Sequence, residues 1–205
     1  RLLRDGLLRE DRSLGYAERI RQHRYAVAGD MEGPRQLLSE FVEGNILALE
    51  NLNHAVGLRE LSESIDLLER ANTVFIVGFR RSFPVATYLA YLLAQTTQRT
   101  VLVDGLAGLP LLPQGGLQAG DVIVAISFAP YSPETVALVE AANGRCAVIA
   151  ITDSVIGPIA KDANLVLQVR ESEVRGFRSL AASMCLAQAL AIGLAARKAE
   201  PPPTA

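Results

Sequence analysis

Five short apolar runs punctuate the chain from residue 73 onward, and segments of helical period separate them. The runs are Thr73 to Val77, Thr100 to Val103, Asp121 to Ile126, Ala147 to Ile151 and Leu165 to Val169. The first is almost wholly apolar and β-branched. Its length and composition predict a strand buried on both faces, and the other four read as strands. A helix is expected from 83 to 96, with Val85, Leu89, Leu92 and Leu93 turned inward. Another follows Ser132 as cap and Pro133 in the first turn, and runs to Ala142. A short helix fits Ile156 to Asp162. A long one fits Leu180 to Arg197, and its apolar character on most sides predicts burial between subunits. Leu106 to Leu117 is rich in Gly and Pro and reads as a loop with at most a helical turn. Strands alternating with helices give parallel pairing and right-handed crossovers. The expected fold is therefore α/β: a doubly wound, five-stranded parallel sheet flanked by helices. In such sheets ligands bind beyond the carboxyl ends of the strands.

Two helices are predicted ahead of the first strand. From Arg35 to His54, Leu37, Leu38, Phe41, Val42, Ile46, Leu49 and Leu52 recur at helical spacing, and Gly57 stops the pattern. Leu58 to Arg70 carries Leu61, Ile65 and Leu68 on one face. Such a pair is suited to embracing a second subunit. Residues 1–33 differ: seven arginines stand against four acids in the first 24 positions, and Gly29 to Pro34 is a break. That basic stretch reads as a linker or the end of a neighbouring domain, and residues 199–205 as a tail.

Composition narrows the function. With 20 Lys+Arg against 22 Asp+Glu, the net charge is −2, which argues against a broad nucleic-acid face on this chain. There is no tryptophan and only 5% aromatic content, too little for base-stacking platforms. Cys146 and Cys185 form no disulfide framework and read as small buried hydrophobes in a reducing compartment. No apolar run approaches the ~20 residues of a membrane span. A cytoplasmic protein that binds no membrane is expected, and a sequence that does not open with Met is compatible with a fragment of something longer.

The candidate chemistry gathers at two strand ends. After the first strand come Gly78, Arg80, Arg81 and Ser82, with Pro84 just inside the next helix. After the third come Ser127, Tyr131, Ser132, Glu134 and Thr135. Hydroxyls and unpaired amides at helix N-termini suit an anion, most naturally a phosphate, and need no metal. The arginines can add charge-assisted bonds. The same residues also fit ordinary βα turns with capping serines, a solvent-facing loop, and an acid placed favourably in a first helical turn. Glu134 is the one candidate general base. The dinucleotide fingerprint, the P-loop and the G-x-S-x-G elbow are absent. His23 and His54 lie among no spaced acids or cysteines, so neither a metal nor another cofactor is expected. His54, at a helix end, reads as a C-terminal cap.

The stretches I-V-G-F-R-R-S, D-V-I-V-A-I-S-F-A-P-Y-S-P-E-T-V, V-I-A-I-T-D-S and G-F-R-S-L-A-A-S make the chain similar to the sugar isomerase (SIS) domain of RpiR/MurR-type bacterial transcriptional regulators. The resemblance spans roughly Arg35 to Lys198. It implies a flavodoxin-like three-layer sandwich over residues 34–198 that binds phosphosugars at the strand-end loops. Ser82, Ser127, Ser132 and Glu134 match that motif's hydroxyls and glutamate. Ala129 and Pro130 replace its usual Ser-Gly, which removes a hydroxyl and stiffens the loop. The resemblance further implies a homodimer or homotetramer, a phosphorylated sugar or related small anion as ligand, and DNA as a partner of a helix-turn-helix domain largely absent from this chain. The alternative on the same fold is an aldose–ketose phosphosugar isomerase.

Overall fold

The computed structural model describes residues 18, 20, 21, 32–106 and 116–198. Most of the basic segment before 32, most of the predicted loop at 106–117 and the tail lie outside the described residues. Helices α1 (Glu32–Ala55) and α2 (Leu58–Arg70) lead into β1 (Val74–Val77). A 3-10 turn (Arg80–Ser82), α3 (Phe83–Leu93) and β2 (Thr100–Val103) follow, then β3 (Val122–Ile126) and α4 (Pro133–Ala142). After them come β4 (Ala147–Thr152), α5 (Pro158–Lys161), β5 (Leu165–Gln168), the paired short strands β6 (Glu173–Val174) and β7 (Phe177–Arg178), and α6 (Ala181–Lys198).

The main sheet has the order β2-β1-β3-β4-β5, and every neighbouring pair is parallel. β1 and β3 lie side by side in its middle, with Val77 level with Ala125. All residues of both strands are buried, as continuous apolar runs between two helical layers must be. Val74, Ile76, Val124, Ile126, Ile149 and Ile151 face α2, α3 and α6. Phe75, Val77, Ile123, Val148 and Ala150 face α4 and α5. The predicted doubly wound three-layer fold is thus the observed one.

Four features correct the expectations or add to them. First, α6 is buried within its own chain: Ala182, Leu186, Ala187, Leu190, Ala191 and Leu194 pack into the core beside α2 and α3. Its alanines and Gly193 permit close approach on several sides, and a Cβ on Gly193 would stand 2.5 Å from Ile65 Cδ1. Small residues let it pack closely within the chain, while Cys185 and Ile192 on its remaining side are exposed. Second, Cys185 on that helix is exposed and Cys146 half-buried, so neither is a core thiol. Burial, with Asp121 nearby, still pushes the Cys146 thiol above its ordinary pKa.

Third, α1 buries Ala48 and Leu52, while Leu38, Val42, Ile46 and Leu49 form a second apolar stripe that remains exposed. The apolar positions that recur at helical spacing are therefore divided between core and surface. Fourth, the β6–β7 hairpin is absent from the sequence reading. Its turn is Arg175-Gly176, with φ of 51° and 75°. Two successive positive φ values match the turn geometry that joins tight hairpins, where Asn-Gly is the usual signal. Arg175 tolerates the position while its guanidinium is held by Glu40 of α1 through two 2.7 Å bonds. Ser172 adds a 2.8 Å bond to Asn45 on the same helix. The hairpin is thereby fastened to α1 and reaches over the carboxyl rim of the sheet.

Candidate functional site

The turns after β1 and β3 lie on adjacent parallel strands and so share one rim. Gly78 lets α3 return closely over the sheet: a Cβ there would sit 3.0 Å from Ala86 Cβ, 3.1 Å from the Ser82 carbonyl oxygen and 3.4 Å from Ile126 Cβ. Arg80 adopts φ 56°, a left-handed conformation that costs a non-glycine residue roughly 1–2 kcal/mol. It turns the chain into the 3-10 segment and sends its guanidinium across to the second turn, where Nη2 donates to Glu134 Oε1 (3.3 Å). Strain tolerated at a strand end is a mark of functional turns.

In the second turn Ser132 caps α4, its Oγ accepting from the Thr135 amide (3.3 Å). The same hydroxyl donates to Glu134 Oε2 (2.6 Å). Ser127 Oγ accepts from the Ser132 amide (3.1 Å) and retains its own proton to donate. Thr135 is fully buried and its hydroxyl has no hydrogen-bond partner. Orphaned buried hydroxyls carry a desolvation penalty, so one beside a helix N-terminus marks a place where a ligand acceptor would be favourable.

The sequence-predicted residues thus converge, with two changes of role. Ser82 is not a side-chain cap: it already has helical φ and ψ of −78° and −14°, because the 3-10 turn precedes α3. A capping side chain needs an extended backbone at its own position. Ser127 is a structural acceptor as well as a candidate donor. Ser82, Ser127 and Ser132 are 5%, 2% and 4% exposed, so their hydroxyls are recessed beneath the exposed Arg80 and Arg81. Arg81 Nη2 approaches the Ala129 carbonyl at 3.5 Å, at the limit of a hydrogen bond.

Glu134 is pulled down to a pKa of about 2, chiefly by the Ser132 hydroxyl, then by its backbone amide and Arg80. Lowering a carboxyl pKa in the folded state favours folding above its ordinary value of 4.5, and that contribution fades as pH falls through about 2. A carbon-13 titration should place the Glu134 midpoint near 2 and return it toward the ordinary range in Ser132→Ala. A midpoint near 4.5 in the unsubstituted protein would contradict the contact.

A third loop completes the rim and escaped the sequence reading. Asp153, just past β4, accepts from the Ala129 amide (3.2 Å to Oδ2) and from the Tyr131 hydroxyl (2.9 Å). Burial first, and then Asp153, push the Tyr131 phenol above its usual pKa. Arg178 of β7 donates through Nη1 to the Ala129 carbonyl (3.0 Å) and lies 3.7 Å from Asp153 Oδ2. The Ala129–Pro130 peptide is cis. The 128–131 segment is therefore gripped from the β1 side by Arg81 and from the hairpin side by Arg178. A polar residue directly after a strand of a parallel sheet was the available signal for Asp153. Arg178 carried none, because the hairpin itself was not legible. At the foot of the hairpin, Glu171 accepts from the Ala182 and Ser183 amides (3.2 and 2.7 Å), filling the N-terminus of α6. Among the described residues, no group of three or more His, Cys, Asp or Glu side chains is placed to hold a metal ion, and no helix is long and apolar enough to cross a membrane.

Comparison with known proteins agrees with this architecture. The sugar isomerase domain of an RpiR transcription factor from Sphaerobacter thermophilus superposes with a TM-score of 0.74 at 25% identity, over 80% of this chain and 92% of that one. The Vibrio vulnificus NanR protein, solved with ManNAc-6P, shares the fold with a TM-score of 0.70 at 18% identity, over 89% of this chain and 66% of that one. The bifunctional protein glk of Burkholderia thailandensis is 27% identical over 168 residues, which is 80% of this chain and 26% of that protein. The chain thus spans about a quarter of that relative's length. A family model for the SIS domain matches residues 67–193, from the end of α2 into α6 and across every loop of the rim, and on that match the chain belongs to the SIS domain family.

Proposed function

We propose that this SIS domain is the phosphosugar-sensing effector module of a bacterial DNA-binding transcriptional regulator. One observation carries the reading. Two adjacent βα turns bring the recessed hydroxyls of Ser82, Ser127 and Ser132 and the orphaned Thr135 hydroxyl to one rim, with Arg80 and Arg81 above them. Such a cradle suits a dianion held by neutral donors, a helix N-terminus and flanking guanidinium groups. In this reading Gly78 keeps the first turn close, and Tyr131 and Glu134 border the ligand. The RpiR-type relative supports the regulatory half, and the NanR structure with ManNAc-6P supports a sugar phosphate as the class of ligand. DNA contact belongs to a domain outside the described residues. The exposed stripe Leu38, Val42, Ile46 and Leu49 of α1 is the proposed contact with a second copy.

Sensing is favoured over isomerisation by the state of Glu134. An isomerase needs a base poised to move a proton between adjacent carbons, and efficiency falls as the base's pKa drops far below working pH. At about 2, with both carboxylate oxygens hydrogen-bonded, Glu134 is a weak base. A ligand then acts by its differential affinity for two arrangements of paired subunits. The test is to incubate the protein with a panel of aldose and ketose phosphates, following melting temperature and turnover together. Stabilisation of about 2.7 kcal/mol is expected at a hundredfold excess over Kd, without conversion. Conversion of a panel member would replace the sensor with the enzyme; no stabilisation by any member would remove both.

A further inference from the structure

The β6–β7 hairpin is held from two sides. On one side it lies along α1. The Arg175 guanidinium donates twice to Glu40, at 2.7 Å each, and Ser172 donates to Asn45 at 2.8 Å. Gly44, between those two anchors, lets the backbones close up: a Cβ there would stand 3.2 Å from Ser172 Cβ and from Val174 Cγ2. On the other side Arg178 donates to the Ala129 carbonyl at 3.0 Å, while Asp153 holds the amide of the same residue.

The hairpin is braced between these anchors. The Ser172 carbonyl accepts from the Ser179 amide at 2.9 Å. Glu173 stands opposite Arg178 in the strand register, and its Oε2 accepts from Nε and Nη2 at 3.3 Å each. A lone two-stranded hairpin is marginal in water, so its place is set by what it docks against. A shift at Arg175 is therefore felt at Arg178. The segment that hangs on Arg178 belongs to the cradle: Ala129 lies two residues after Ser127 and three before Ser132. The Ser132 amide closes that turn by donating to Ser127 Oγ.

The helix at the far end of this chain of contacts bears the exposed stripe Leu38, Val42, Ile46 and Leu49. Glu40 and Asn45 fall within the same stretch of α1. We propose that the hairpin is a tie through which α1 and the serine cradle fix each other's position, with Arg175 and Arg178 as its positioning residues. A ligand seated in the cradle tightens the clamp on Glu40, and a loosened clamp weakens the ligand, since coupling between two sites is reciprocal. The ligand half of this inference rests on the phosphosugar reading above; the tie between loop and helix does not. Together they give a route by which occupancy of the rim biases the helix proposed to meet a second copy.

Amide hydrogen exchange of the full chain, resolved by NMR, tests the tie without a ligand. Glu40→Ala removes the acceptor. Arg175→Asn removes the guanidinium but keeps a residue suited to a left-handed turn position, so the hairpin itself is retained. Both are expected to speed exchange at the Ala129 and Ser132 amides about fivefold beyond any change at the amides of β1 and β3. Arg178→Ala should do so at least as strongly. For each aldose or ketose phosphate of the panel that binds, Kd should rise about fivefold in Glu40→Ala and in Arg175→Asn, although neither residue belongs to the cradle. Exchange at Ala129 and Ser132 that rises no more than in β1 and β3, in both variants, would overturn the tie. Unchanged Kd in both, beside a Ser132→Ala that weakens the same ligand, would overturn the positioning role and leave the phosphosugar reading standing. No binding by any panel member would overturn that reading and the ligand half with it, and the exchange rates would still decide the tie.

Discussion

Ser132→Ala is expected to cost the protein most of its response to ligand and a smaller part of its stability. The two losses have separate origins. The hydroxyl caps α4 through the Thr135 amide, and removing such a cap costs about 1 kcal/mol. For a domain of this size that is a fall of about 2–4 °C in Tm. The same hydroxyl is the group of the cradle that already binds a carboxylate, at 2.6 Å from Glu134. A phosphoryl oxygen would take up the same kind of charge-assisted bond. Losing one weakens binding by about 1.5–3 kcal/mol, tenfold or more in Kd. Ser132→Asn separates the effects, since asparagine caps as well as serine. It should recover the resting Tm without recovering the ligand shift. A full ligand shift in Ser132→Ala would place the ligand elsewhere.

Gly78→Val should be the most damaging single change at the rim. The space a Cβ would need is bounded by Ala86 Cβ at 3.0 Å and the Ser82 carbonyl at 3.1 Å. One is the stub of a fully buried alanine and the other is backbone, so neither can swing aside. Overpacking of a rigid site costs about 1–3 kcal/mol or more, and valine adds two further methyl groups. The expected loss is about 3 kcal/mol. Because relief can come only by pushing α3 off the sheet, Ser82 moves with it. Ligand-induced stabilisation should therefore vanish in any fraction that still folds. Chemical denaturation and the ligand shift measured on one sample check both. Near-native stability would show that α3 is not held as closely as described.

The strands were legible because their message is short-range. Val74 to Val77 and Val122 to Ile126 are β-branched runs bounded by polar residues, and burial on both faces follows from that alone. The cradle was legible for a similar reason: Gly78, Ser82, Ser127 and Ser132 sit at fixed offsets from strand ends, and strand order places those ends together. What could not be read depended on distant partners. Arg175 occupies a left-handed position beside its clamp to Glu40, 135 residues earlier. The division of α1 into a buried and an exposed stripe depends on where α6 and the hairpin dock. Asp153 and Arg178 matter because they meet at Ala129, and no local pattern announces that meeting. Ser82 was misread as a cap because a 3-10 turn and a sharp cap look alike in sequence.

Glu171 carries a last consequence. By accepting from the Ala182 and Ser183 amides it fills the start of α6, whereas the starts of α3 and α4 carry the recessed hydroxyls of Ser82, Ser132 and Thr135. On the proposed reading, an anionic group is received at the starts of α3 and α4 rather than at the start of α6. On that reading one of the chain's own carboxylates, already seated on α6, decides which helix starts remain for a guest's charge.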